Sequence, residues 1–316
     1  MTKEQLRKES MRLMLAQELT DTKESLDIYL KLLFKIINQH IDPVVNGSLE
    51  EARLTLQMVF SKTLNLRGLL DGLNYNGENG KRLLNFIDPT IIASGARNIT
   101  ELVSTFHLVY SLPNDKDNQL VAYNLWVIAG LKFRQRFGEA ISSEENKKKL
   151  VDESISIDNL IKGIYETTLF INLPEDKQNK IKKAIKDKDY RVKLSNTEVL
   201  NLHWQAIIDE MGFRQELTGT LYTYFSLYAH PSNVSVFQYG DLFHNGKDAH
   251  IRMSMYNIKT LSAVLSKFIL DYIKLFPDVI NIFNEMTILE QVVVNGNLRF
   301  ATMDRQIINN AGDALN

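Results

Sequence analysis

The apolar residues of this sequence recur at helical spacing in one segment after another, with few residues between them able to break a helix. Leu26, Tyr29, Leu30, Leu33 and Ile37 form one stripe. Leu102, Val103, Phe106, Val109 and Tyr110 form a second, and Ile258, Leu261, Leu265, Phe268, Tyr272 and Phe276 a third. Side chains three and four positions apart share one face of an α-helix, so each stripe marks a helix with a side to bury. Only six prolines and fifteen glycines are spread over 316 residues, which leaves little material for loops. The pattern predicts an all-α protein, a multi-helix bundle with one large core or two modest ones.

Local signals place the helix ends. Asp21-x-x-Glu24, Ser48-x-x-Glu51 and Ser195-x-x-Glu198 each have the spacing of a capping box and are read as helix starts. The run Asn74–Gly80 reads as a loop, and Asp88-Pro89 restarts a helix. Further helices are expected over residues 118–137, 157–171, 195–211, 214–229 and 257–276. The tail has two readings. Asn295-Gly296 between Val292–Val294 and Leu298–Phe300 is a hairpin signal, and equally the cap of a helix ending at Val294.

Residues 1–140 and 195–316 read as the N-terminal and C-terminal halves of one bundle. A charged connection with a lysine-rich insertion, 141–194, joins them. Within it, Lys177–Lys193 holds eight basic residues against Asp187 and Asp189. Ile181, Ala184 and Ile185 are its thin apolar pattern, so an exposed, mobile protrusion is expected. Lys180, Lys182, Lys183 and Lys186 are the candidate phosphate contacts there. Tyr190 is the sole aromatic of the stretch, so base stacking has little support.

Several function classes are excluded or disfavoured. There is no cysteine, hence no disulfide, thiolate metal site or cysteine nucleophile, and the composition fits a reducing cytoplasm. The first residues show no apolar signal core, and the run Leu120–Phe133, interrupted by Asn124, is too short to cross a bilayer. A net charge of −1 gives no global attraction to nucleic acid. No P-loop, G-x-G-x-x-G, H-E-x-x-H or G-x-S-x-G motif occurs, so no nucleotide, dinucleotide or other cofactor is expected.

Two constellations could carry chemistry. Arg97 and Glu101, four apart, are helix neighbours; the pair suits an anion contact or, as the plainer reading, an ion pair that fixes helix docking. Tyr222, Ser226 and His230 follow in steps of four, and Pro231 should end their helix at His230. An imidazole there suits general acid–base work or, again more plainly, a helix cap. Polar stripes inside a bundle are costly unless they satisfy each other, so the two are expected to converge. Asp241, His244, Asp248 and His250 are metal-ligand types at a spacing that matches no established site; they read as a solvated loop, with no metal.

The segment Ala96-Arg97-Asn98-Ile99-Thr100-Glu101, then Tyr123, then Tyr224–Ser232 resembles an uncharacterised bacterial helical family. That family, a domain of unknown function, shows an R-x-x-x-E helix and a later S-x-x-x-H-P-S segment. The resemblance covers about the middle half of the chain and implies a helical fold with a polar core formed by Arg97, Glu101, Ser226 and His230. A weaker resemblance is to HEPN helical proteins, which include toxins and phage-defence ribonucleases. Their usual signature, an Arg followed four to six residues later by a His, is absent; Arg97 and His230 would have to meet across helices. The leading expectation is a non-enzymatic, cytoplasmic bacterial interaction or regulatory protein that acts through protein partners or self-association, in a defence or stress system. The alternatives are a metal-independent ribonuclease using His230 and Arg97, and RNA binding through the lysine-rich stretch.

Overall fold

The computed structural model describes residues 1–41, 47–140, 142–230, 232–244 and 247–315. Fifteen α-helices and two antiparallel two-stranded hairpins are found among them, so the chain is all-α in class. It divides into two compact units, residues 1–104 with 208–316, and residues 105–207. The inserted unit is therefore wider than the charged segment 141–194, because Val121, Leu125 and Ile128 before that segment and Val199 after it share its core.

In chain order the first unit contains α1 (Lys3–Leu15), α2 (Leu19–Gln39), α3 (Gly47–Leu69), a hairpin of β1 (Leu73–Asn76) and β2 (Arg82–Phe86), and most of α4 (Pro89–Phe106). The second unit continues through a π-turn at His107–Ser111 into α5 (Lys116–Arg134), α6 (Glu144–Tyr165), α7 (Thr168–Asn172) and α8 (Glu175–Asp187). It ends in the hairpin of β3 (Val192–Leu194) and β4 (Val199–Asn201) and the start of α9 (Trp204–Glu210). The chain returns to the first unit with α10 (Gln215–Thr218), α11 (Leu221–Ala229), α12 (Asn233–His244), α13 (Lys247–Leu275), α14 (Val279–Asn284) and α15 (Ile288–Ala301).

Apart from Ile37 and Leu102, which are half-buried, the stripes are buried where the sequence put them. Along α13, Ile258, Leu261, Leu265, Phe268 and Tyr272 are all buried, and the same face packs on α2 and α15. The caps are a different matter. Asp21 lies inside α2, buried, and receives Arg12 Nη1 at 2.5 Å. Ser48 likewise lies inside α3. Ser195 accepts from the Glu198 amide at 3.0 Å and donates its own amide to Glu198 O at 2.9 Å, closing the β3–β4 hairpin rather than opening a helix. The reciprocal capping boxes are at Thr2/Gln5 of α1 and Thr287/Glu290 of α15.

The stretch Asn74–Gly80 is not a plain loop; it belongs to the β1–β2 hairpin, paired from Leu73–Phe86 to Asn76–Arg82. The tail is neither a hairpin nor a helix that stops at Val294 with Gly296 as its cap. Residues 292–300 run straight through α15 with no hairpin. Gly296 sits mid-helix because a Cβ there would come within 2.1 Å of Met14 Sδ on α1, so the bare backbone makes room for a thioether.

The lysine-rich stretch is also corrected. Most of it is α8, whose Ile181, Ala184 and Ile185 are buried in the core of the second unit with Val121, Leu125, Ile164 and Val192. Three apolar residues at i, i+3 and i+4 are enough to seat a thirteen-residue helix on one face. Ile181→Ala is expected to cost about 2–5 kcal/mol in urea denaturation. Lys182→Glu with Lys183→Glu, both exposed, should change stability by no more than about 0.5 kcal/mol.

His40, just after α2, bonds through Nδ1 to Tyr272 Oη at 2.7 Å and lies against the Phe276 ring, centroids 4.9 Å apart. Burial, and next the Arg53 charge, hold its pKa below the ordinary imidazole value against an opposing pull from Asp278. Burial lowers His250 in the same sense. A group with a depressed folded pKa contributes stability above its unfolded value and loses it as pH falls through the folded one. The melting temperature should therefore drop as the pH is lowered from about 6.5, and His40→Gln should reduce that drop.

Candidate functional site

Arg97 and Glu101 project from one face of α4, and Tyr222 and His230 stand at the two ends of α11. Arg97 Nε donates to Glu101 Oε1 at 2.9 Å, along the helix. Its Nη2 donates to Tyr222 Oη at 2.6 Å, while the guanidinium lies over the Tyr222 ring with Cζ 4.8 Å from the centroid. Its Nη1 reaches His230 Nε2 at 2.8 Å. Residues 133 positions apart thus meet in one cluster. A guanidinium has only hydrogens to give, so Nε2 accepts and the ring proton sits on Nδ1.

Local sequence fixes the imidazole. His230 leaves the helix with φ −111° and ψ 137°, and its amide closes α11 on Ser226 O at 3.1 Å. Pro231, which the sequence reading holds responsible for that exit, lies outside the described residues. Ser232 and Ser235 exchange amide-to-hydroxyl bonds of 3.0 Å at the start of α12. Ser235 Oγ also lies 3.3 Å from His230 O. Ser232-x-x-Ser235 has cap spacing in the sequence and is the signal that would have exposed this clamp.

Arg97 is largely enclosed, with 16% of its side chain exposed, whereas His230 faces solvent. Ser226 does not join them: its hydroxyl donates to Tyr222 O at 2.6 Å, back along its own helix. Tyr123 belongs to the second unit, where its ring meets Trp126. Sequence reasoning passed over Tyr224, whose hydroxyl donates to Asn257 Oδ1 at 3.0 Å and whose ring contacts Tyr228 and Tyr256. Burial first, then the neighbouring Tyr228 and Tyr256, push its pKa well above the ordinary phenol value, so it stays protonated and bolts α11 to α13.

The other candidates do not assemble. His244 has no described side chain, and Asp241 and Asp248 are exposed while His250 is buried against Phe86 and Tyr239. Among the described residues no three His, Asp or Glu side chains gather as metal ligands. Lys182, Lys183 and Lys186 are exposed on α8, but Lys180 donates to Val199 O at 3.0 Å.

No known protein family, curated protein or solved structure matches this chain. The fold and the site define an all-helical protein with a solvent-facing arginine–histidine cluster. No described helix is long and apolar enough to cross a membrane.

Proposed function

We propose that the Arg97–Glu101–Tyr222–His230 cluster cleaves RNA without a metal. The observation that carries this reading is the 2.8 Å contact between Arg97 Nη1 and Nε2 of an exposed His230. Cleavage of RNA by its own 2′-hydroxyl needs a base for that hydroxyl and a cation for the phosphate. A phosphate oxygen arriving at Nη1 takes the hydrogen bond that His230 accepts in the free protein. That releases Nε2 to receive the 2′-hydroxyl proton as the 2′-oxygen bonds to phosphorus; the P–O5′ bond breaks, and the departing 5′-oxygen takes a proton from water. Glu101 holds the guanidinium in place, and the Tyr222 ring supports its face. The absence of cysteine suits such a protein to a reducing cytoplasm.

The test is incubation of purified protein with single-stranded RNA in EDTA. Fragments ending in 2′,3′-cyclic phosphate are expected, and a 2′-deoxy residue at the cut should block cleavage. Intact RNA at high enzyme concentration would discard the reading.

A second reading, a non-enzymatic interaction or regulatory protein of a bacterial cytoplasm, is favoured by one observation. Arg97 already has an internal partner for each of its three nitrogens, as a structural cross-link would. The two readings part on what loss of His230 does.

A further inference from the structure

The first unit carries a concavity of about 740 Å³ that shares no residue with the Arg97–His230 cluster. Met11, Met14 and Leu15 of α1 line it, together with Leu217 of α10, Tyr256 of α13 and Phe300 of α15. These side chains are not sealed inside: Phe300 is 64% exposed, Tyr256 54% and Met11 49%. An apolar surface of this extent, left open to water, marks a binding face.

Its charge is one-sided. Arg214, Lys259, Arg299 and Arg305 line the same concavity, and no Asp or Glu does. The chain as a whole is at −1, so this is a local reversal of sign. Arg214 is fixed, donating from Nε to Thr302 O at 3.1 Å with its guanidinium over the Phe300 ring. Lys259, Arg299 and Arg305 form no ion pair among the described residues and stand exposed. A carboxylate, Glu216, enters only in an adjoining recess of about 480 Å³ that shares Arg214, Leu217, Phe300 and Arg305.

We propose that this groove docks an acidic amphipathic α-helix of a partner protein. Such a helix presents an apolar stripe to a groove of this lining and carboxylates to its flanks. Methionines at Met11 and Met14 adapt their shape to an incoming ridge. Gly296 lets Met14 lie against α15, which keeps the thioether in the lining. Two features favour a helix over a small amphipathic anion. The lining is half-exposed, as in an open trough, and four separate cations call for several carboxylates rather than one headgroup. The proposal stands apart from whether the Arg97–His230 cluster cleaves RNA.

The probe is an eighteen-residue synthetic helix with leucines at i, i+3, i+4 and i+7 and glutamates on its other face, against a counterpart with lysines for glutamates. Fluorescence anisotropy with the intact protein should show the acidic peptide binding at least tenfold more tightly, with affinity falling as salt is raised. Lys259→Glu with Arg299→Glu should weaken it at least tenfold without moving the melting temperature, since both residues are exposed. Phe300→Asp, also exposed, should do the same by spoiling the apolar lining. Equal binding of both peptides, or binding indifferent to these substitutions, overturns the proposal. So does saturable binding of dodecyl phosphate that the acidic peptide fails to displace. Concentration-dependent self-association that Phe300→Asp abolishes, with no peptide bound, would assign the groove to a second copy and overturn it as well.

Discussion

His230→Ala is expected to remove EDTA-resistant RNA cleavage, by about 10²–10⁴-fold in rate, the range that a positioned acid or base supplies. Its stability should fall by no more than about 1 kcal/mol, because the side chain is exposed and makes one hydrogen bond, to Arg97. Circular dichroism melts and cleavage assays on the same preparation check both halves. Arg97→Lys keeps the charge but loses the fork that reaches Glu101, Tyr222 and His230 together, so cleavage should fall in that variant too. The opposite pattern, a clear loss of stability in His230→Ala with no cleavage to lose, is the behaviour of a structural cross-link. It would leave the interaction reading in possession of the cluster.

Asp271→Ala should be the most destabilising of the single substitutions considered. Lys267 Nζ bonds Asp271 Oδ1 at 2.7 Å on the inner face of α13, with 2% and 1% of the two side chains exposed. Neither charge has water to fall back on. Removing the carboxylate strands a buried ammonium, at a cost of about 3–5 kcal/mol. Burial already lowers the Lys267 pKa against the raising pull of Asp271, and without that carboxylate it drops further. The unfolded lysine then holds more protons than the folded one in the alkaline range below its ordinary value of 10.5. Stability of the variant should therefore rise with pH across that window. Lys267→Met combined with Asp271→Leu removes both charges and should recover most of the loss, because no unpaired ion remains. Urea denaturation at several pH values separates these outcomes. A single variant as stable as the parent at neutral pH would mean that water or another group reaches the ammonium.

Periodicity is a local property, so the sequence by itself determined the helical class and the buried face of α13. Chemical type and spacing also singled out Arg97, Glu101, Tyr222 and His230. Tertiary structure decided the rest. The Glu198 amide on the Ser195 hydroxyl is a bond that also begins helices, but the Ser195 amide goes to the Glu198 carbonyl rather than to its carboxylate, and the pairing of Val192–Leu194 with Val199–Asn201 makes the segment a hairpin turn. Asp21 looked like a cap until Arg12 claimed it inside a helix. The three apolar residues of α8 seemed too few to seat a helix, but a neighbouring core supplies the partners that the local pattern cannot show. Gly296 reads as a chain-breaker in isolation; its place in the middle of α15 depends on a methionine 282 positions earlier in sequence, Met14, filling the space of its missing Cβ. The meeting of Arg97 with His230 has the same character. The sequence names both residues, but a 2.8 Å contact across 133 positions exists only once α4 and α11 are packed.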